Sequence, residues 1–287
     1  MSGGVLVGVV SVMLAVSCTP ALEDDASRAD EPRVLAVRAE PAEARPGESV
    51  TLTALATDGT SVAWSLCLAR KALAESGPIA NECLVYPESS VALGGGPSVR
   101  AELPRDACRN FGPDPPLGTN GRPADPDGTG GYYQPGLAAG AAFSIRVRCG
   151  LAGATQAQVA EFESRYRINE NPEIAHVLAD GVLTTGALRA RPGARLRLRV
   201  TWPASAAEPY VAFDPAARTV VDRRESLRVS WLATAGTFAT SRTGVDEADP
   251  ATQSENDFTV AGDATLYFVL RDSRGGVAFR ALRVIVD

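Results

Sequence analysis

The sequence predicts an all-β protein with two tandem β-sandwich domains that follow an export signal and a short tether. Short segments of alternating apolar and polar residues recur along the chain, one arrangement of them is repeated, and glycine-rich turns separate them. The 287 residues suit two domains of ordinary size. We expect residues 1–17 to be the signal peptide, 18–31 the tether, 32–169 the first sandwich and 170–287 the second.

The composition limits the possible partners. Hydrophobic residues make up 45% of the chain and charged residues 22%, which is enough for two buried cores. The net charge of −6 argues against a nucleic-acid-binding protein, because such proteins usually carry a basic excess. We therefore expect no nucleic acid among the partners.

The N-terminus indicates export. Residues 5–17 form an uninterrupted apolar and small run, too short for a bilayer span of about 20 residues but as long as a signal-peptide core. It ends Leu14-Ala15-Val16-Ser17-Cys18, which resembles a bacterial lipobox. The resemblance implies cleavage before Cys18 and lipidation of its thiol, so that the membrane is a partner. The alternative is a secretory signal with an incidental cysteine, and residues 1–4 lack the usual basic residue.

The residue after the lipidated cysteine bears on location. Thr19 gives no inner-membrane retention signal, so by analogy with enteric bacteria we expect a lipid-anchored protein of the cell envelope, in the outer membrane.

The remaining four cysteines, Cys67, Cys83, Cys108 and Cys149, are even in number. An oxidising compartment favours two disulfides, for which three connectivities are possible. We favour Cys67–Cys83 with Cys108–Cys149, because nearest pairing staples each long loop to a strand. A zinc site is the alternative, but neither a Cys-x-x-Cys spacing nor a nearby histidine supports it.

Local patterns define the elements. Residues 49–56, 62–67 and 143–149 read as strands, most of them by strict alternation. Residues 155–165 predict a short helix that runs into a strand, with a strand over 162–168 as the alternative to the helix.

The second half repeats the first. Ala44-Arg45-Pro46-Gly47 precedes an alternating strand, and Ala190-Arg191-Pro192-Gly193 precedes another. A strand with Trp64 follows the first copy, and a strand with Trp231 follows the second. This repetition predicts two copies of one architecture. Residues 265–270 and 277–286 then predict a final hairpin, in which Gly275 and Gly276 permit the tight turn.

Many short strands, a tryptophan in the third strand and a final hairpin resemble immunoglobulin-like and polycystic-kidney-disease-type sandwiches. The segment 269–276 resembles the V-x-D-x-x-G turn of the latter, and the resemblance covers residues 32–287 as a pattern. The cysteine spacing departs from that of antibody domains. Such lipoprotein repeats imply surface display, adhesion or scaffolding, with an envelope protein or a glycan as partner.

The segment 104–140, rich in Pro, Gly, Asp and Asn, predicts a long loop that is the main candidate site. Tyr132 and Tyr133, exposed on such a loop, are candidates for partner contact, and the alternative is that one of them packs beneath the loop as its anchor. Asp125 and Asp127 are weak candidates for calcium ligands, although the terminal Glu of an EF-hand is missing. The alternative function is therefore a calcium-dependent carbohydrate-binding module that uses residues 110–135.

Catalysis has little support in the sequence. His176 is the sole histidine, and we expect it to be strand-borne or interdomain. No Gly-x-Ser-x-Gly or phosphate-cradling motif is present, so we assign no catalytic residue and no cofactor and expect a non-enzymatic protein. A hydrolase with an unrecognised carboxylate pair is the weaker alternative.

Two further features have structural interpretations. Arg195, Arg197 and Arg199 lie on one face of a strand, where a solvated face that discourages edge aggregation is favoured over an anionic contact. Asp272 is expected to cap its own hairpin turn.

Overall fold

The structure is a computed structural model that describes residues 26–72, 74–112 and 128–287. It is dominated by β-strands that form two immunoglobulin-like sandwiches, which confirms the predicted fold class. None of the helices in these residues is long and apolar enough to cross a membrane.

The first sandwich consists of two antiparallel-rich sheets. Its strands are β1 (Val34–Glu40), β2 (Glu43–Ala44), β3 (Ser49–Ala56), β4 (Ala63–Cys67), β5 (Ser90–Gly95), β6 (Ser98–Glu102), β7 (Gly131–Ala138) and β8 (Ala141–Arg148). One sheet has the order β1-β3-β6, and the other has the order β2-β8-β7-β4-β5. Buried aliphatic residues and Trp64 fill the space between them.

The second sandwich has the same two-sheet plan with additional strands. Its strands are β9 (His176–Ala179), β10 (Val182–Leu183), β11 (Leu188–Ala190), β12 (Arg195–Thr201), β13 (Pro209–Asp214), β14 (Thr219–Arg224), β15 (Leu227–Ala233), β16 (Thr237–Phe238), β17 (Arg242–Val245), β18 (Gln253–Thr259), β19 (Ala264–Asp272) and β20 (Val277–Val286). The sheets have the orders β10-β9-β12-β18-β16 and β11-β20-β19-β15-β17, and β13 and β14 form the separate hairpin.

The repeated motif has the same structural role in both sandwiches. A short strand pairs in parallel with the last strand, as β2 with β8 and as β11 with β20. The glycine that follows has a φ of +81° in both copies, at Gly47 and Gly193, which is a conformation that only glycine adopts readily. Trp64 and Trp231 then lie buried in equivalent strands. The predicted internal repeat is therefore confirmed.

The α-helices α1 (Glu82–Val85), α2 (Ala107–Phe111) and α3 (Gln156–Arg165) lie between these strands, together with 3-10 helices at Pro87–Ser89 and Ala204–Ala206. The predicted helix is confirmed as α3, which begins at a capping box between Thr155 and Gln158. The strand predicted after it does not form. The backbone amides of Asn169 and Glu170 donate instead to the side chains of Glu43 and Glu208.

Strand β12 corrects one interpretation. Arg195, Arg197 and Arg199 point to the solvent side and form ion pairs with Asp257 and Glu255 on β18. However, β12 lies between β9 and β18 and is not an edge strand. The arginines therefore cannot protect a sheet edge, and their role is cross-strand pairing on a solvated face.

Both predicted disulfides are present. Cys67–Cys83 closes a segment of 16 residues that carries α1, and Cys108–Cys149 ties α2 to the end of β8 across 41 residues. Each disulfide therefore fastens a short helix of the first sandwich to the end of a strand.

The longer disulfide loop is expected to contribute more stability. Replacing Cys108 and Cys149 with serine should cost about 0.8 kcal/mol more unfolding free energy than replacing Cys67 and Cys83, because loop-closure entropy grows with loop length. Urea denaturation of the two double variants measures the difference. A larger loss in the Cys67–Cys83 variant would contradict this ranking.

Strand β19 is covered on both faces. Phe268 and Leu270 point into the core of the second sandwich, whereas Tyr267 and Val269 pack against Ala36 and other residues of the first. A strand buried on both sides reads as a continuous apolar run, as residues 266–270 do. The two sandwiches are therefore packed side by side through a sheet face.

Helix α3 adds a second contact between the sandwiches. Phe162 is fully buried against Val211 and Val220 of the β13–β14 hairpin, and Arg165 forms an ion pair with Asp222. The helix belongs by sequence to the predicted domain 32–169 but packs on strands of the second sandwich.

Candidate functional site

The structure locates only some of the predicted site residues. Cys18, Asp125 and Asp127 lie outside the described residues, so their roles stay predictions. His176 is the first residue of β9 and is exposed, in agreement with a strand-borne position. Within the described ranges, no group of three or more His, Cys, Asp or Glu side chains is arranged to hold a metal ion.

The expected exposure of Tyr132 and Tyr133 is wrong. Both lie on strand β7, paired with β8, because the predicted loop ends before Gly131. Tyr132 is buried, and the half-buried Tyr133 donates a hydrogen bond of 3.2 Å to the carbonyl oxygen of Arg274. Tyr133 thus contacts the second sandwich within this chain.

The junction between the sandwiches contains a buried ion pair on the first side. Arg146 Nε lies 2.9 Å from Glu43 Oε2, and both side chains are at most 2% exposed. Glu43 also accepts hydrogen bonds from the Tyr166 hydroxyl and the Asn169 amide. Burial, followed by the negative charge of Glu43, raises the pKa of Tyr166, so its hydroxyl stays a donor. This pair fixes the segment after α3 to the first sandwich.

A second buried arginine fixes the same segment to the second sandwich. Arg274 Nε lies 2.6 Å from Glu225 Oε1, Nη2 lies 2.8 Å from Glu208 Oε2, and Nη1 donates to the Arg167 carbonyl. The Arg274 side chain is 2% exposed. The connection between the sandwiches is thus held between two buried, charge-assisted centres.

Asn171 adds a direct bridge. Its side-chain amide donates to the Ala39 carbonyl at 2.7 Å, and its side-chain oxygen accepts from the Val277 amide at 2.8 Å. One side chain therefore joins β1 of the first sandwich to β20 of the second.

Asp272 caps the final hairpin as predicted. Its Oδ1 accepts from the amides of Arg274 and Gly276, each at 2.8 Å. Burial raises the pKa of Asp272 and also that of the neighbouring Glu225, which reaches about 7 because the negative charge of Asp272 adds to its burial. The two carboxyl groups beside Arg274, those of Asp272 in the turn and of Glu225 before β15, therefore retain their protons to higher pH than ordinary carboxyl groups do.

We expect stability to fall as the pH rises from about 4.5 towards 7. Glu225 has an ordinary pKa of 4.5 when unfolded and about 7 when folded, so the native state holds a proton that the unfolded state releases. This contribution is complete below pH 4.5 and is lost as the pH passes 7. Urea denaturation across this range should show the decline, and Glu225→Gln should flatten it. An equally steep decline in that variant would contradict the assignment.

An arginine-lined cleft opens beside the junction. It has a volume of about 610 Å³ and lies between β1, β15, β17 and β19. Arg228, Arg242 and Arg271 line it, together with Ser230, the acidic Asp272 and other polar and apolar residues. Ligand sites commonly form in such clefts between domains.

The charges in this arginine cleft are not balanced by the described residues. Arg228 forms an ion pair with Asp246, whereas Arg271 donates to Ser230 Oγ at 3.1 Å and to the Leu35 carbonyl at 3.5 Å. No carboxylate of the described residues forms an ion pair with Arg271 or Arg242. Burial, together with the positive charge of Arg242, lowers the pKa of Arg271. Among the described residues, the cleft therefore offers two guanidinium groups that form no ion pair.

The first described residues of the chain reach the same place. Ala26 lines the arginine cleft, and the Ala29 amide donates to the Ala233 carbonyl at 2.8 Å at the end of β15. Arg28 and Ala233 form a parallel bridge. The N-terminal end of the described chain is thus attached to the second sandwich before it enters β1.

An exposed apolar surface lies at a sheet edge of the first sandwich. Val85 is 64% exposed, Leu84 57%, Tyr86 53% and Val91 44%. The first three follow the disulfide-bonded Cys83, and Val91 lies on β5, which ends its sheet. We call these four residues the edge patch. Exposed large apolar residues concentrated in one region commonly mark an interaction surface.

No family model matches the chain, and no curated protein matches it. Among solved structures, similarity is found to the D0–D1 domain of intimin (12% identity, TM-score 0.24, 88% of this chain and 98% of that chain). The adhesin InvE of Yersinia pseudotuberculosis aligns at 12% identity and a TM-score of 0.25, over 87% of this chain and 58% of that chain.

Another alignment covers 42% of this chain and 26% of a nucleoside hydrolase-related hypothetical protein from Saccharophagus degradans (14% identity, TM-score 0.26). The chain thus spans about a quarter of that protein's length. Similarities at these TM-scores transfer no activity and no partner to this chain.

Proposed function

We propose that this protein is an exported envelope lipoprotein, anchored through Cys18, that presents two fused β-sandwiches as one binding or scaffolding module. The lipobox-like sequence before Cys18 supports the anchor. The two disulfides support an oxidising compartment, since disulfides persist there and are rare in the cytosol. We place the anchor in the outer membrane because Thr19 gives no retention signal.

The proposal that the two sandwiches act as one module rests on the junction between them. Apolar packing on β19, two buried arginine centres and the Asn171 bridge hold the sandwiches together. A flexible linker would let each sandwich move independently, whereas this junction fixes their mutual orientation. A fixed orientation is what a spacer or scaffold in an envelope assembly requires.

The edge patch is the surface through which the module engages a protein partner. Its apolar side chains are flanked by the exposed carboxylates of Glu82 and Glu88, and it adjoins the edge strand β5. This combination suits an extended apolar segment with basic flanks, which adds to the sheet edge through its backbone. The partner is therefore an envelope protein with such a segment.

Metabolic labelling with an alkyne fatty acid tests the anchor. The wild-type chain should incorporate the label and sediment with outer membranes, and Cys18→Ser should lose both properties. Labelling of the Cys18→Ser chain, or its absence from wild type, would overturn the lipid anchor.

Site-specific photo-cross-linking on intact cells tests the partner. A photoreactive amino acid at Tyr86 should give one recurrent adduct, which Leu84→Ser/Val85→Ser should abolish without loss of folding. The same probe at the exposed Thr237, on β16 of the other sandwich, is the matched control. Adducts no more abundant at position 86 than at 237 would overturn the edge patch as a contact surface.

A further inference from the structure

We infer that the arginine cleft binds the phosphate of an anionic lipid headgroup. Arg242 and Arg271 line a cavity of about 610 Å³ together with the hydroxyl-bearing Ser230, which lies beside Arg271. Guanidinium groups match phosphate geometry, and hydroxyls add donors to its remaining oxygens. Neither arginine forms an ion pair with a carboxylate of the described residues, so an incoming anion displaces no ion pair within that part of the chain.

The short stretch of chain between Cys18 and the cleft supports the membrane as the source of that phosphate. Ala26 lines the cleft, and eight peptide units separate it from Cys18. At about 3.6 Å per residue, they span at most about 29 Å. A lipidated Cys18 therefore holds the cleft within that distance of the headgroups, and this step rests on the proposed anchor.

The cleft also lies where a bound ligand would contact both sandwiches. Arg271 lies on β19 and donates to the Leu35 carbonyl of β1, so it connects the two sandwiches at the rim of the cavity. A headgroup bound there contacts both sandwiches and orients the fused module relative to the membrane surface.

Co-sedimentation of an unacylated chain with vesicles tests this inference separately from the anchor. The mature chain, residues 18–287 with Cys18→Ser, is mixed with phosphatidylcholine vesicles that contain or lack phosphatidylglycerol. We expect binding only to the vesicles with phosphatidylglycerol, and Arg242→Gln should weaken it about fivefold, as expected for one basic residue near an anionic surface.

Arg283→Gln is the matched control. Arg283 is exposed on β20, and three strand spacings, or about 14 Å, separate that strand from β17 within the sheet. The control makes the same change of charge and should leave vesicle binding unchanged. Equal losses in the two variants would show that diffuse surface charge causes the binding and would overturn the cleft as the site.

Two further arms distinguish the sources of the anion. Thermal stabilisation by inorganic phosphate that Arg242→Gln abolishes, without vesicle binding, would assign the cleft to soluble phosphate and overturn the lipid headgroup. Vesicle binding that appears only after Glu23→Gln/Asp24→Asn/Asp25→Asn would assign the cleft to the chain's own acidic segment. Vesicle binding by a chain whose Cys18 proves not to be acylated in cells would retain the site and reject the anchor alone.

Discussion

Replacing Arg274 with alanine is expected to lower the free energy of unfolding by about 3–5 kcal/mol at pH 8, because breaking a buried ion pair leaves an uncompensated buried charge. Arg274 is 2% exposed and lies 2.6 Å from Glu225, whose side chain is fully buried. At pH 5 the loss should be smaller, since the pKa of Glu225 is about 7 and the carboxyl group then retains its proton. Urea denaturation followed by tryptophan fluorescence measures both values.

Arg283→Ala serves as the control for the loss of an arginine. Arg283 is exposed, and a substitution there should change the unfolding free energy by no more than about 0.5 kcal/mol. A loss below about 1 kcal/mol for Arg274→Ala at pH 8 would contradict a stabilising role for this ion pair.

Gly131→Ala is expected to lower the free energy of unfolding by about 3–5 kcal/mol, because it should break the buried ion pair between Arg146 and Glu43. A Cβ at position 131 would lie 2.1 Å from Cζ of Arg146, well inside van der Waals contact. The guanidinium would have to leave Glu43, which has no access to solvent. The same denaturation experiment measures the loss.

Gly186→Ala makes the same chemical change in open space. No atom lies within 4 Å of a Cβ at that position, so its unfolding free energy should stay within about 0.5 kcal/mol of wild type. If Gly131→Ala were equally neutral, Arg146 would not pack over the glycine as described.

The strands were predictable where one face is buried and the other is solvated. Residues 49–56 and 277–286 were predicted with the bounds that the structure gives, because strict alternation or a glycine turn defines them. The tyrosine-containing strand β7 was missed because Gly131, Pro135 and Gly136 read as loop residues. Pro135 is tolerated because only residues 136–138 of β7 pair with β4, so the proline faces no partner there.

The junction was not predictable from local pattern. Arg146 alternates with apolar neighbours and therefore reads as a solvent-facing residue, yet the segment after α3 covers it. Arg274 is paired with Glu225 and Glu208, which are 49 and 66 residues away along the chain. Sequence periodicity does not predict pairs at such separations. The continuous apolar run in β19 was the one available sign that both faces of a strand are covered.

The bridge between Arg28 and Ala233 also sets an order of events during synthesis. A polypeptide emerges from its N-terminus, so the contact of residues 26–30 with β15 cannot form until about two hundred further residues have been made. The N-terminal segment therefore reaches its native place only in a molecule whose second sandwich is complete. A protease that cleaves near Arg28 should accordingly cut nascent or truncated chains faster than finished ones, so that susceptibility at this one position reports completion of the whole molecule.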